Sequence, residues 1–310
     1  MPNWIYTHNL NPILIKLGPL EPRWYALMYL LGFAATYQLI ARNPRFLGMG
    51  FNKDDAMDFL TYGFLGVILG GRLGYVLFYN LPMYLQKPWE ILMVWTGGMS
   101  FHGGLIGSIV AIMLYARHKK IPILRMFDIV AVPAPLGLLF GRLGNFINGE
   151  LWGKPTAGNW GVVFNATGGG PEPRHPTQLY EAGLEGALLF IVLWLAFRYA
   201  KNLKEGSLGG LFLLGYGLGR SVVEFTRIPD VQLGYLLGTN WLTMGHLLCV
   251  PMILGGLAML VWANRPSAPS LQDSLAQPIS KTVEKAASPT SSEQPVPEAE
   301  EPPSENNENK

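Results

Sequence analysis

Apolar positions along this chain fall into seven long runs, near residues 22–41, 57–79, 98–116, 125–146, 177–198, 207–226 and 241–263. Each run approaches the ~20 helical residues that cross a hydrocarbon core of about 30 Å at 1.5 Å per residue. The pattern predicts an all-α polytopic membrane protein with seven transmembrane helices. No basic residue precedes Lys16 and the first apolar run begins only near Trp24, so no cleavable leader is expected and the first span is retained.

Basic residues in the connections predict the orientation, because short loops rich in Lys and Arg stay cytoplasmic. Arg42, Arg45 and Lys53 follow the first span, Arg117, Lys119, Lys120 and Arg125 follow the third, and Arg198, Lys201 and Lys204 follow the fifth. The other connections are sparse, with Lys87, then Lys154 and Arg174, then Arg227. The expected N-terminus is therefore outside and the C-terminus cytoplasmic. Residues 1–21 are expected to form an extracytoplasmic segment, 22–263 the seven-helix transmembrane unit with an extracytoplasmic loop at 147–176, and 264–310 a disordered acidic cytoplasmic tail rich in Ser, Pro, Glu and Asn.

Composition supports a membrane location, since only 14% of residues are charged while 49% are hydrophobic, against about 25% charged in an average soluble protein. The net charge of +2 hides an asymmetry: the tail holds four basic and eight acidic residues, leaving 19 basic against 13 acidic before it. Nothing in this distribution points to nucleic acid. The single cysteine, Cys249, rules out an intrachain disulfide and a CxxC pair, and no HExxH or comparable ligand cluster points to a metal. Glycines spaced by four, Gly66, Gly70 and Gly74, then Gly103 and Gly107, are read as close helix packing rather than as ligand contacts.

A charge in hydrocarbon costs at least about 2.5–3.5 kcal/mol and usually marks function, so the polar residues inside the spans narrow the reading further. With the expected orientation, Tyr25, His102, Glu181, Glu185 and His246 come early in inward-running spans, whereas Arg72, Arg142, Asn145, Arg220 and Glu224 come late in outward-running ones. All lie in the outer half; Asp128 is the exception, read as a helix-end or structural residue. The expectation is a polar chamber open to the outer leaflet and lined by guanidiniums, a site for an anion. Arginine suits phosphate because its planar fork donates two parallel hydrogen bonds and keeps its proton when desolvated, and a phospholipid headgroup is the nearest phosphate. Arg220 and Glu224, spaced i,i+4, also read as a self-neutralising pair, and the two roles are compatible.

The sharpest local feature is GRLGNFINGELWG at 141–153, where Arg142, Asn145, Asn148 and Glu150 crowd a membrane exit among four glycines. Helix capping accounts for one Asn and one Gly and leaves Arg142 and Glu150 unexplained. This run resembles the signature of the prolipoprotein diacylglyceryl transferases of bacterial inner membranes. The resemblance extends to Arg23–Tyr25, GGRLGYVLFY at 70–79, MSFHGGLIG at 99–107, RHPTQLYE at 174–181 and GRSVVEFTR at 219–227, covering residues 20–263.

The resemblance implies transfer of the diacylglyceryl group of phosphatidylglycerol to the thiol of a preprolipoprotein lipobox cysteine, with a thioether formed and glycerol phosphate released at the outer face of the cytoplasmic membrane. It implies no cofactor; the partners are the lipid and the signal-peptide lipobox. A thiol with pKa near 8.5 needs a base near neutral pH, and His102, within the family's HGG motif, is the expected one. By the same resemblance Arg142 binds the headgroup and Arg220 stabilises the leaving phosphate, two assignments that are interchangeable on sequence alone. Glu150 and Glu224 orient them, Arg72 shares their depth, Tyr25 and Asn145 hydrogen-bond headgroup oxygens, Gly153 permits close backbone approach, and Tyr216, one turn before Arg220, lines the chamber. No acyl-enzyme is expected, because neither Cys249 nor Ser108 stands in a nucleophile motif. A transporter or anion channel would place its site near the midplane, and an intramembrane protease would need a serine elbow or paired aspartates; neither pattern is present.

Overall fold

The computed structural model describes residues 4–18, 21–42, 46, 52–156, 158–200, 203–229 and 233–265. The acidic tail expected from 264 onward therefore lies, from 266, outside the described residues. Helices occupy every predicted run: α1 (Trp24–Arg42), α2 (Lys53–Tyr79), the short α3 (Leu81–Gln86), α4 (Phe101–His118), α5 (Ile123–Ala131), α6 (Ala134–Asn148), α7 (Thr177–Tyr199), α8 (Ser207–Glu224) and α9 (Met244–Ala263). Among the described residues α1, α2, α7 and α9 are long and apolar enough to cross a membrane, and α5 with α6 make a fifth if the bent pair is one span. The other two long helices, α4 and α8, are diluted by glycines and by polar residues such as His102, Arg117, Arg220 and Glu224.

The run read as one span over 125–146 is broken by 42° between α5 and α6. Pro133 explains the break: it lacks an N–H for the helical ladder and its ring crowds the preceding turn. Helix starts are set by side chains that satisfy the orphaned N–H groups of the first turn. Asn52 and Asp55 form a reciprocal capping box at α2, Ser100 accepts from the Gly103 N–H at α4, and Thr243 with His246 forms a second box at α9. Inside α7, residues Ala182–Leu188 form a π-helical turn, a local widening that often accompanies function and that no apolar pattern announces.

The all-α expectation is corrected outside the helices. Three short strands, β1 (Trp4–Thr7), β2 (Trp160–Val163) and β3 (Pro173–Arg174), form a sheet in that order, β1 parallel to β2 and β2 antiparallel to β3. Trp4 pairs with Trp160 and Thr7 with Val163, so the N-terminal segment is stitched to the 147–176 loop. His8 completes the join, its buried ring bonding the Phe146 carbonyl at the C-terminal end of α6 through Nε2 at 2.8 Å.

Packing is closest between α2 and α4. A Cβ at Gly70 would lie 2.6 Å from the Gly107 Cα and nearer still to the Gly103 carbonyl oxygen, and one at Gly66 would lie 2.7 Å from Ala111 Cβ. Neither backbone atoms nor an alanine Cβ can be moved aside by a rotamer change, and in lipid such close approach is what holds helices together. Gly70→Val should therefore destabilise the protein by more than the about 1–3 kcal/mol usual for overpacking. SDS titration of micellar protein would measure it, and an unchanged midpoint would remove the glycine row from the fold's support. Elsewhere Phe59, Tyr115, Ile129, Leu193 and Phe197 belong to the buried cluster, while Phe78, Leu254 and Val261 project from α2 and α9, the first 81% exposed. Large apolar side chains on outward helix faces suit acyl chains and not water.

Polar locks lie at the end of the bundle where α2 and α5 begin. Arg125 grips one oxygen of Glu205 through Nε at 2.9 Å and Nη2 at 2.8 Å. Asp128, wholly buried, accepts the N–H groups of Gly206 at 2.7 Å and Gly209 at 2.9 Å, and so caps the start of α8. Lys119 bridges Asp55 and Asp58; the ammonium's proton is held more firmly than usual, chiefly by its hydrogen bond to Asp55.

Candidate active site

At the opposite end the C-terminal turns of α6 and α8 meet the N-terminal turns of α7 and α9, and this placement assembles the charged residues. Glu181, fully buried in the first turns of α7, receives three guanidiniums: Arg142 Nε at 2.7 Å, Arg220 Nη1 at 2.5 Å and Arg227 Nη1 at 2.6 Å. Glu224 takes a second nitrogen from two of them, Arg220 Nη2 at 2.7 Å and Arg227 Nε at 3.4 Å. Thr243 Oγ1 donates to the other Glu224 oxygen at 2.7 Å, so the cap of α9 also fixes a site carboxylate. Gly245 packs so closely on that carboxylate that any side chain there would displace it.

A second branch runs from Arg142 through the motif at 141–153. Arg142 Nη1 reaches Asn145 Oδ1 at 3.5 Å, and Asn145 and Asn148 donate to the same Glu150 oxygen at 2.9 and 3.1 Å. Gly149, with φ +69°, ends α6 in the left-handed conformation that favours glycine. Gln178 and Thr177 then hold the following turn by donating to the carbonyls of Glu150 and Leu151 at 2.5 and 2.8 Å.

The expected site residues are not all brought together. Arg142, Arg220 and Glu224 share the ion network, and Asn145 and Glu150 form its second branch. Tyr25 packs its ring on Gly144, where a Cβ would come within 2.8 Å, and its hydroxyl pairs with Tyr29 at 3.1 Å. Tyr216 is half-buried in α8 and stacks on Phe212, with Glu185, Arg220 and Arg142 in its electrostatic surroundings. His102 is exposed in the first turn of α4, the helix paired with α2.

Arg72 departs from expectation. Its five N–H donors all go to carbonyls of the 90–98 segment: Nε to Ile91 at 2.9 Å, Nη2 to Glu90 at 2.5 Å and Met93 at 3.0 Å, and Nη1 to Gly97 and, at 3.2 Å, Gly98. With no donor left for a ligand, Arg72 pins the irregular turns after α2. Gly153 is also reassigned. A Cβ there would meet the Thr226 carbonyl at 2.5 Å, Thr177 at 2.6 Å and His175 at 3.0 Å, so the backbone it admits is the protein's own.

Glu181 and Arg227 were not among the expected site residues. Glu181 was visible as a charge inside a span, and the signal for its role was an imbalance: Arg142 and Arg220 with only Glu224 in pairing range. Arg227 stands three residues after Glu224, on the same helical face, a spacing that favours pairing. His175, on the loop before α7, accepts or donates with Tyr180 at 3.2 Å; burial and the Lys154 ammonium hold its proton more loosely than usual.

Among the three guanidiniums of the network Arg142 alone gives only one nitrogen to a carboxylate. Arg220 and Arg227 each place two nitrogens on carboxylates, whereas Arg142 spends Nε on Glu181 and touches Asn145 weakly through Nη1, leaving Nη2 without a described partner. A buried carboxylate aims a guanidinium whose free edge faces a partly open site, an arrangement built for an anion.

Comparison with known sequences agrees with this geometry. A family model described as prolipoprotein diacylglyceryl transferase matches residues 12–262. Proteins named phosphatidylglycerol–prolipoprotein diacylglyceryl transferase are similar over most of their length. That of Oleidesulfovibrio alaskensis is 52% identical over 255 residues, covering 82% of this chain and 94% of the relative. That of Pseudomonas aeruginosa is 48% identical over 259 residues, 84% and 96%, and that of Pseudoalteromonas atlantica 50% over 258 residues, 83% and 90%. The matched region contains the whole arginine–carboxylate network and stops before the acidic tail, and by it the chain belongs to the prolipoprotein diacylglyceryl transferase family.

Proposed function

We propose that this protein transfers the diacylglyceryl group of phosphatidylglycerol to the lipobox cysteine of a preprolipoprotein, and that Arg142 is the group that receives the lipid's phosphodiester. The free Nη2 edge of Arg142, aimed by Glu181, carries this reading. The cysteine sulfur attacks the glyceryl carbon, the carbon–oxygen bond breaks with its electron pair left on phosphate, and glycerol phosphate departs as the thioether forms. Fixed guanidiniums in a site shielded from water lower the energy of charge building on the leaving oxygen, because they need no reorganisation as it develops. Arg220, held at both ends, stabilises that charge from behind; Asn145, Glu150 and Tyr25 place the headgroup, and Tyr216 closes the side facing Glu185. His102 takes the thiol proton, and no cofactor enters the step.

The same reading places seven spans in the bacterial cytoplasmic membrane, with the N-terminus outside, the C-terminal tail inside and the ion network beneath the outer surface. Residues 147–176, joined to the N-terminal segment by the sheet, then face the compartment from which the lipobox arrives. Incubation of purified protein with phosphatidylglycerol labelled in its glyceryl moiety and a lipobox peptide should move the label onto the cysteine as a base-stable thioether. Recovery of unmodified peptide from active lipid-detergent mixtures would remove the transferase assignment.

A further inference from the structure

One charged side chain at the site takes no part in the network just described. Glu185 lies one turn after Glu181, inside the π-helical turn of α7, and is fully buried. Among the described residues both its carboxyl oxygens lack a hydrogen-bond partner. Its stem rests on Gly219, where a Cβ would sit 3.7 Å from Glu185 Cγ, beside Arg220. The charged and titratable groups around it are Glu181 on its own helix, Arg142 on α6, Tyr216, Arg220 and Glu224 on α8, Arg227 just beyond α8, and His246 and Cys249 on α9.

Three guanidiniums, Arg142, Arg220 and Arg227, face two paired carboxylates, Glu181 and Glu224. With Glu185 ionised the buried cluster is neutral, Glu150 of the second branch being exposed to solvent, and a phosphodiester monoanion entering it would leave one uncompensated negative charge in a buried site. With Glu185 protonated the cluster carries one positive charge, which the phosphodiester cancels. Of the three carboxyls, Glu181 and Glu224 have guanidinium partners at 2.5–2.7 Å, whereas Glu185 feels the same arginines only at longer range and accepts no hydrogen bond among the described residues, so it is the carboxyl that can take up a proton without breaking a contact.

We infer that Glu185 takes up a proton as an anionic phosphodiester binds, so that binding of the lipid headgroup is coupled to one proton. The inference rests on the reading that the arginine cluster receives the phosphodiester. Its sign follows from linkage: the bound state prefers protonated Glu185, so binding is tightest at low pH, and above the pH at which the empty site's Glu185 ionises the Kd rises about tenfold per pH unit. Glu185 acts here as a positioning residue through the charge it presents to the arginines.

Calorimetry tests this with the intact protein in neutral detergent micelles, titrated with short-chain phosphatidylglycerol in two buffers of different ionisation heat. The difference in apparent heat gives the number of protons exchanged, which should approach one taken up across the pH range where affinity falls. Glu185→Gln, a neutral isostere, should bind the lipid with a pH-independent Kd close to the wild-type value at low pH and take up no proton. Glu185→Asp should restore the slope. Binding of the wild type without proton uptake, or uptake that persists in Glu185→Gln, overturns the inference and leaves the transferase reading standing. Absence of any headgroup binding, with transfer also lost, overturns both.

Discussion

Replacing Glu181 by Gln is expected to destabilise the protein by about 3–5 kcal/mol, the range for breaking a buried ion pair while leaving its partner behind, and to abolish transfer with it. Glu181 is fully buried and is the one carboxylate that contacts all three guanidiniums, at 2.5–2.7 Å. A Gln side chain has the same shape but no charge, and one of its two ends would turn N–H donors toward donors. Arg220 and Arg227 would keep Glu224, yet Arg142 has no other carboxylate within ion-pair range among the described residues. The contrast with Glu224→Gln makes the prediction sharp. Glu224 holds Arg220 at 2.7 Å and Arg227 only at 3.4 Å, and both retain Glu181, so its loss should be the milder. SDS titration of the two variants in the same detergent gives the order directly. A Glu181→Gln midpoint equal to wild type, or a larger shift in Glu224→Gln, would mean that the network is not what joins α6, α7 and α8 at this end.

The helices were legible because a run of apolar residues long enough to span a membrane has few other uses, and helix ends differed from expectation mainly where side-chain caps extend the chain beyond the apolar run, as Asn52 and Asp55 do for α2. What periodicity could not show was pairing across long separations. The strand at Trp4–Thr7 has four residues and finds its partner more than 150 residues later, at Trp160–Val163, and nothing local distinguishes it from any short apolar loop. Expected position along the spans grouped Arg142, Arg220 and Glu224, which the ion network joins, but such a position is blind to the side of the helix. Arg72 was grouped with them and faces the carbonyls of the 90–98 turns instead. At Gly153 the close backbone approach is present, with the Thr226 carbonyl, and the sequence could not tell whose backbone it would be. Glu181 was expected in the chamber and within RHPTQLYE but without a role of its own, because its importance lies in the number of guanidiniums that reach it, a property of other segments.

The second large effect concerns chemistry rather than stability. Arg142→Lys should lower the transfer rate by about 100- to 1,000-fold, the usual loss when one preorganised donor to a developing anion is removed, while shifting unfolding far less than Glu181→Gln does. Arg142 now performs two tasks at once, with Nε on Glu181 at 2.7 Å and its far edge free for the phosphodiester. Guanidinium can do both because its donors diverge from a rigid plane, whereas an ammonium is a single point of charge on a flexible stem. A lysine at 142 can therefore satisfy the buried carboxylate and preserve the fold, but it then turns away from the lipid. Arg220→Lys predicts the opposite balance: Arg220 is tied by Nη1 to Glu181 and by Nη2 to Glu224, so a lysine there leaves one carboxylate short and should lower stability along with rate. Measuring transfer and SDS midpoint side by side separates the two arginines. If Arg142→Lys turned over at the wild-type rate, the phosphodiester would have to be held elsewhere, and the free guanidinium edge would be a feature of packing alone.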